Sequence, residues 1–166
     1  GNTLTVIDCD QRRIAVDVPV GDGPEGVAIN PETNNVYVAI QHESRLTVHD
    51  PKRHEIRYKT ELGSAPRGIE FSPDAAIALV PNRLSNDVSV IETRFHRDGE
   101  GRPWEVERIP VGIWPGEIVF NPDGSRAYVS NNKTNDISVI DTDAREEVDR
   151  IDVRTHPNGI TYLSRD

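Results

Sequence analysis

Residues 131–141 read NNKTNDISVID, and residues 82–92 read NRLSNDVSVIE. Both are a polar loop, an Asn-Asp pair and a short alternating run of the strand type. A chain that restates itself at this distance is built from stacked supersecondary units. Working outward, GPEGVAINPETNNVYVA begins at Gly23, APRGIEFSPDAAIALVP at Ala65, WPGEIVFNPDGSRAYVS at Trp114 and HPNGITYLS at His156. The anchoring prolines, Pro24, Pro66, Pro115 and Pro157, stand 42, 49 and 42 residues apart.

Each repeat holds four short strand-like runs. In the third they are GEIVFN, RAYVSN, DISVID and EVDRIDV, rich in Val, Ile, Tyr and Phe. Turn chemistry separates them, with NPDG at 121–124 the strongest signal and SPDA and NPET looser versions. Asp8, Asp50, Glu92 and Asp141 recur just after the third run and are expected to accept backbone N–H groups in a turn. No segment sustains a 3.6-residue period, so helix is expected to be negligible. Four strands in about 40 residues is the size of one propeller blade.

The resemblance can be named on these residues. NNVYVAI and RAYVSNN, each followed by a loop and LTVHD or DISVID, resemble the YVTN β-propeller repeat family. Tyr37-Val38 and Tyr128-Val129 carry the signature, which Ala78-Leu79-Val80-Pro81 does not. The expected fold is all-β, with blades of four antiparallel strands. Residues 1–22 supply the last two strands of a blade, 23–64, 65–113 and 114–155 are blades, and 156–166 is the first strand of another. That makes three full blades plus split terminal strands, 15 strands in all, within a ring of roughly seven blades. A four-bladed ring closed by both ends would lack one strand. The seven extra residues of the second repeat lengthen a hairpin at 93–109, with Asp98-Gly99 and Gly101 at its tip and Phe95 and Trp104 flanking its base.

Composition bounds the function. Net charge is −9, and the acidic residues are spread along the chain, which argues against general nucleic-acid binding. Few aromatics (5%) argue against a single-strand stacking platform. The apolar runs are far shorter than the ~20 residues of a membrane span. The chain contains no Met and opens inside a strand-like run, NTLTVID, so it reads as a segment of a longer protein. Cys9 stands alone and is expected to be a thiol partly buried on a strand.

The family geometry places the loops before each first strand, and those between second and third strands, around the axis. This selects Glu25, His42, Arg67, Arg83, Trp114, Glu117 and Lys133 as a mixed polar rim suited to a small polar or anionic ligand. The residue after each anchoring Pro varies (Glu25, Arg67, Gly116, Asn158), as a surface position or a blade-specific contact would. No GxSxG, HExxH, P-loop or GxGxxG occurs, and the five histidines lack metal-ligand spacing, so no catalytic or metal residue is assigned and no cofactor is expected. His42 and His156 are the two histidines placed at the channel mouth, where the choice lies between exposed polar side chains and ligands to a metal or haem. The expectation is a non-enzymatic binding or scaffold domain outside the cytoplasm. Its partner is a protein or a small ligand, and its open edges invite self-association or the rest of the ring. The alternative is a lactonase-like hydrolase or a haem-bearing oxidoreductase-type propeller.

Overall fold

A computed structural model describes residues 1–94 and 103–163. It contains 14 strands in four antiparallel sheets. A two-stranded half-blade comprises β1 (Thr3–Asp8) and β2 (Arg13–Pro19). The first blade is β3 (Pro24–Ile29), β4 (Val36–Ile40), β5 (Arg45–Asp50) and β6 (Glu55–Glu61). The second is β7 (Glu70–Phe71), β8 (Ile77–Asn82), β9 (Asp87–Glu92) and β10 (Trp104–Pro110). The third is β11 (Pro115–Phe120), β12 (Arg126–Asn131), β13 (Asp136–Asp141) and β14 (Glu146–Asp152). Every four-stranded sheet is ordered as the chain runs. A single 3₁₀ turn, Gln41–Glu43, is the only helical element among the described residues.

The blades stack face to face, which explains their near-continuous apolar second strands. On β8, Ala78 and Val80 pack with Tyr37, Ala39, Leu46 and Val48 of the first blade. Leu79, between them, packs the other way, with Ile118, Phe120, Ala127 and Val129 of the third. Both faces of the sheet are therefore buried, and each fully buried Val or Leu contributes roughly 1.5–3 kcal/mol. Tyr37 meets Phe71 edge to face at 4.9 Å between centroids, which closes the first interface.

The turns follow their chemistry. Asp50 Oδ1 accepts from the N–H groups of Lys52 and Arg53 at 2.8 and 3.1 Å, and Asp141 Oδ1 from Asp143 and Ala144 at 3.1 and 2.9 Å. These bonds favour the charged carboxylates and lower both pKa values. Glu92 departs from the pattern and pairs with Arg145 at 3.7 Å.

Several expectations change. Cys9 is exposed in the turn after β1, because the strand ends at Asp8 and the chain reverses through Arg12 at φ 49°. No strand forms over 156–163. That segment leans on the third blade through a 3.4 Å bond from Ser130 Oγ to the Asn158 carbonyl, with no ladder partner among the described residues. The hairpin tip and Phe95 lie outside the described residues, while Trp104 pairs with Glu92 at the base. Val27 and Ile29 on β3 are 56% and 60% exposed, whereas Ile118 and Phe120 on β11 are each 6% exposed. The preceding blade covers β11 in this way; the half-blade before β3 presents no inner strand among the described residues.

Candidate functional site

The inner strands converge, and glycine marks how closely. A Cβ on Gly26 would overlap the carbonyl oxygen of Arg67 in the next blade. Only a residue without a side chain lets two backbones approach in this way. At this convergence Arg67 Nη1 lies 3.5 Å from Glu25 Oε2, so two residues at the same repeat position in successive blades form an ion pair. Glu117 comes from the third blade. Its carboxylate fills the space beside Gly68, where a Cβ would stand 3.1 Å from Glu117 Oε2. Glu25, Arg67 and Glu117 thus line one cleft of about 280 Å³ floored by Gly26, Gly68 and Ile69.

Glu70, on β7, completes the chemistry and escaped the sequence reading. It is half-buried, and its pKa is raised first by burial and then by the charge of Glu117. A carboxyl whose pKa is pushed up by burial, in the field of a second carboxyl, is a pairing from which an acid can be drawn. The signal was in the repeat: Ala28 and Val119 occupy the equivalent positions, and Glu117 itself replaces the glycine found at 26, 68 and 159. A charge where the other repeats carry a small or apolar residue marks a position relieved of its structural role.

The remaining predicted residues divide. Arg83 and Lys133 both gather on Trp114, with Arg83 Cζ 4.1 Å and Lys133 Nζ 4.0 Å from the indole centroid. Trp114 holds a left-handed backbone conformation, φ 60°. Its N–H donates to Asn86 Oδ1 at 3.1 Å. His42 joins neither group. It sits over Gly23, exposed, with Nδ1 3.2 Å from Asp22 Oδ2. His156 is also apart, its Nδ1 3.3 Å from the Asn132 carbonyl oxygen. No cluster of three His, Cys, Asp or Glu is placed to hold a metal ion among the described residues.

A larger cleft of about 360 Å³ lies between the second and third blades, on the side of the turns joining first to second strands. Three of its four acids, Asp74, Glu92 and Asp123, are occupied by local structure. Asp74 binds Ser72 Oγ, the Ala76 N–H and Arg94, Asp123 accepts from the Ser125 N–H, and Glu92 faces Arg145. Turn bonds and ion pairs account for these three, and the axial cleft is the stronger candidate.

Comparison with known proteins bears on the chemistry. Residues 49–156 match the family described as "Lactonase, 7-bladed beta-propeller". Among solved structures, hydrazine synthase of Kuenenia stuttgartiensis aligns with TM-score 0.72 and 28% identity, over 81% of this chain and 37% of that one. A "putative 6-phosphogluconolactonase" of Bacteroides uniformis aligns with TM-score 0.76 and 14% identity, over 97% and 54%. A "putative 6-phosphogluconolactonase" of Bacteroides fragilis aligns with TM-score 0.74 and 18% identity, over 92% and 49%. The chain spans about half or less of the length of these structures. No curated protein matches. The lactonase-family match overturns the expectation of a non-enzymatic binding or scaffold domain. That expectation rested on the lack of a contiguous catalytic motif, but a propeller assembles its site from different blades, and no contiguous motif is required.

Proposed function

The chain belongs to the seven-bladed β-propeller lactonase family, and from that premise we propose that it hydrolyses the ring ester of a lactone at the axial cleft. We read its 42-residue repeats as YVTN-type blades within that family, on Tyr37-Val38 and Tyr128-Val129. The observation that carries the catalytic reading is the cleft shared by Glu25, Arg67 and Glu117 from three blades, with Glu70 feeling the charge of Glu117.

The roles follow from charge. Glu117, exposed in the cleft, is the general base that takes a proton from the attacking water. The hydroxide oxygen bonds to the acyl carbon, and the developing oxyanion is met by the Arg67 guanidinium, which Glu25 orients at 3.5 Å. As the ring C–O bond breaks, Glu70 gives its proton to the departing alkoxide. Its raised pKa suits it to that task. The proton that Glu117 took passes to Glu70, which resets the pair, and the product, the open hydroxy acid, ionises and releases one proton to solvent. The test is ring opening of a panel of γ- and δ-lactones at pH 7, followed by pH-stat. The proposal expects at least one lactone to open well above its spontaneous rate; none doing so would overturn it.

A further inference from the structure

Glu117 leaves the ladder of its own strand, and one buried hydroxyl holds it there. We propose that Ser130 is a positioning residue: through its Oγ it fixes the backbone of Glu117 and so sets where that carboxylate stands in the axial cleft. For its effect on turnover the inference rests on the lactone reading, which it deepens; the placement of Glu117 is independent of any substrate.

On β11, Pro115 pairs with Asn131 and Ile118 with Val129, so Gly116 and Glu117 both stand opposite Ser130. Two residues against one is a β-bulge, which leaves a ladder bond unmade and re-aims a side chain. Ser130 Oγ takes the place of the missing ladder partner: the Glu117 N–H donates to it at 3.2 Å. The single hydroxyl proton has two acceptors in reach, the Glu117 carbonyl at 3.3 Å and the Asn158 carbonyl of the following repeat at 3.4 Å. Ser130 is 1% exposed, so these bonds form away from competing solvent. The backbone of Glu117 is thus tied to one atom of the neighbouring strand. From that anchor its side chain reaches the space beside Gly68.

The hydroxyl accompanies the carboxylate. Ala39, Pro81 and Ser130 hold the same place on the second strands of the three blades, one residue before Ile40, Asn82 and Asn131. Two residues after the anchoring Pro stand Gly26, Gly68 and Glu117. Gly26 keeps an ordinary ladder pairing with Ala39, and the Arg67 N–H donates to the Pro81 carbonyl at 2.9 Å. The two blades with glycine there have no side-chain hydroxyl opposite; the blade that places a carboxylate supplies one. Ser138 gives the contrast. It too is a buried hydroxyl of the third blade, but it accepts from Asn131 Nδ2 at 2.7 Å and from the Gly112 N–H at 3.4 Å. Ser89 makes the same two bonds in the second blade, with Asn82 and Gly63. A contact that recurs from blade to blade is scaffold. The contacts of Ser130 do not recur in the other two blades.

The test compares Ser130→Ala and Ser130→Cys with Ser138→Ala in the protein carrying these blades. Cys keeps the volume of the side chain but is a poor acceptor. The first readout is the Glu70 carboxyl pKa by ¹³C NMR, because Glu70 senses the charge of Glu117. Both Ser130 variants should lower it, by less than Glu117→Gln does. Ser138→Ala should lower the urea midpoint and leave Glu70 unmoved. The second readout is lactone kinetics: kcat should fall about tenfold in both Ser130 variants with KM little changed. A Glu70 pKa unmoved in Ser130→Ala would overturn the positioning role whether or not a lactone opens. Where a lactone does open, an unmoved kcat in Ser130→Ala, or natural behaviour in Ser130→Cys, would overturn it and leave the hydrolase standing. A lowered Glu70 pKa in a protein that opens no lactone upholds the placement of Glu117 and sinks the hydrolase.

Discussion

Glu117 occupies the room that Gly68 leaves: a Cβ on Gly68 would lie 3.1 Å from Glu117 Oε2. One blade omits a side chain so that the next can place a carboxylate. Gly68→Ala should therefore displace the far end of a flexible side chain and leave the fold intact. We expect lactone turnover to fall by about tenfold, since sub-ångström misplacement of a catalytic group is costly. The urea midpoint should barely move. Gly26→Ala is the contrasting case, because its Cβ would meet the backbone carbonyl of Arg67, which cannot swing aside. It should cost about 1–3 kcal/mol of stability. Equal urea midpoints for the two variants would contradict this packing.

Glu70 has a raised pKa, first from burial and second from Glu117. Removing the second cause with Glu117→Gln should lower the Glu70 pKa without returning it to the ordinary value, as read by ¹³C carboxyl NMR. The sign for stability follows. A carboxyl whose folded pKa is raised favours folding only while protonated, and that benefit is lost as pH rises through the folded pKa. Glu70→Gln should therefore raise the urea midpoint at pH 7 while lowering turnover. A variant that is both less stable and fully active would show Glu70 to be structural.

The blades were legible in the sequence because spacing and turn chemistry repeat. Pro24, Pro66 and Pro115 announce three inner strands, and Asp50 and Asp141 stand in the turns their side chains suggested. The site was half legible. Glu25, Arg67 and Glu117 meet in one cleft, but His42 does not join them, because Gly23 leaves it a seat beside Asp22. Glu70 was not legible from the loops, because its meaning lies in a strand position that the other blades fill with Ala28 and Val119. No strand reading could foresee that 156–163 forms no ladder, since a strand needs a partner as well as a sequence.

His49 gives a pH window of its own. It is 2% exposed, with Nε2 2.9 Å from Thr47 Oγ1 and Nδ1 without a partner among the described residues, and burial lowers its pKa. The neutral ring is the folded form, so stability should be complete above the unfolded value of about 6.5 and fall as pH drops below it. Asp50, Asp74, Asp123 and Asp141 have lowered pKa values, and their contribution is lost only at more acid pH. Urea midpoints between pH 7.5 and 5 should decline in the natural chain and flatten in His49→Leu. Parallel declines would assign the effect elsewhere.

Tyr37 is fully buried, and its hydroxyl has no hydrogen-bond partner among the described residues. Burial raises its pKa well above the ordinary tyrosine value, so it stays neutral at every working pH. An unsatisfied buried hydroxyl costs about 1–3 kcal/mol. Tyr37→Phe keeps the edge-to-face contact with Phe71 and removes that cost, so thermal unfolding should shift upward. A downward shift would mean that the hydroxyl has a partner, such as a buried water.

The central claim is that residues from three blades form one hydrolytic site. Its most direct measurement is kcat/KM for lactone ring opening in the protein carrying these blades, compared across Glu117→Gln, Glu70→Gln, Arg67→Ala and the opposite-face control Asp123→Asn. We predict losses of about 10²–10⁴-fold in the two carboxylate variants, about 10²–10³-fold in Arg67→Ala, and no change in the control. Unaltered turnover in all three axial variants, or an equal loss in the Asp123→Asn control, would contradict the account.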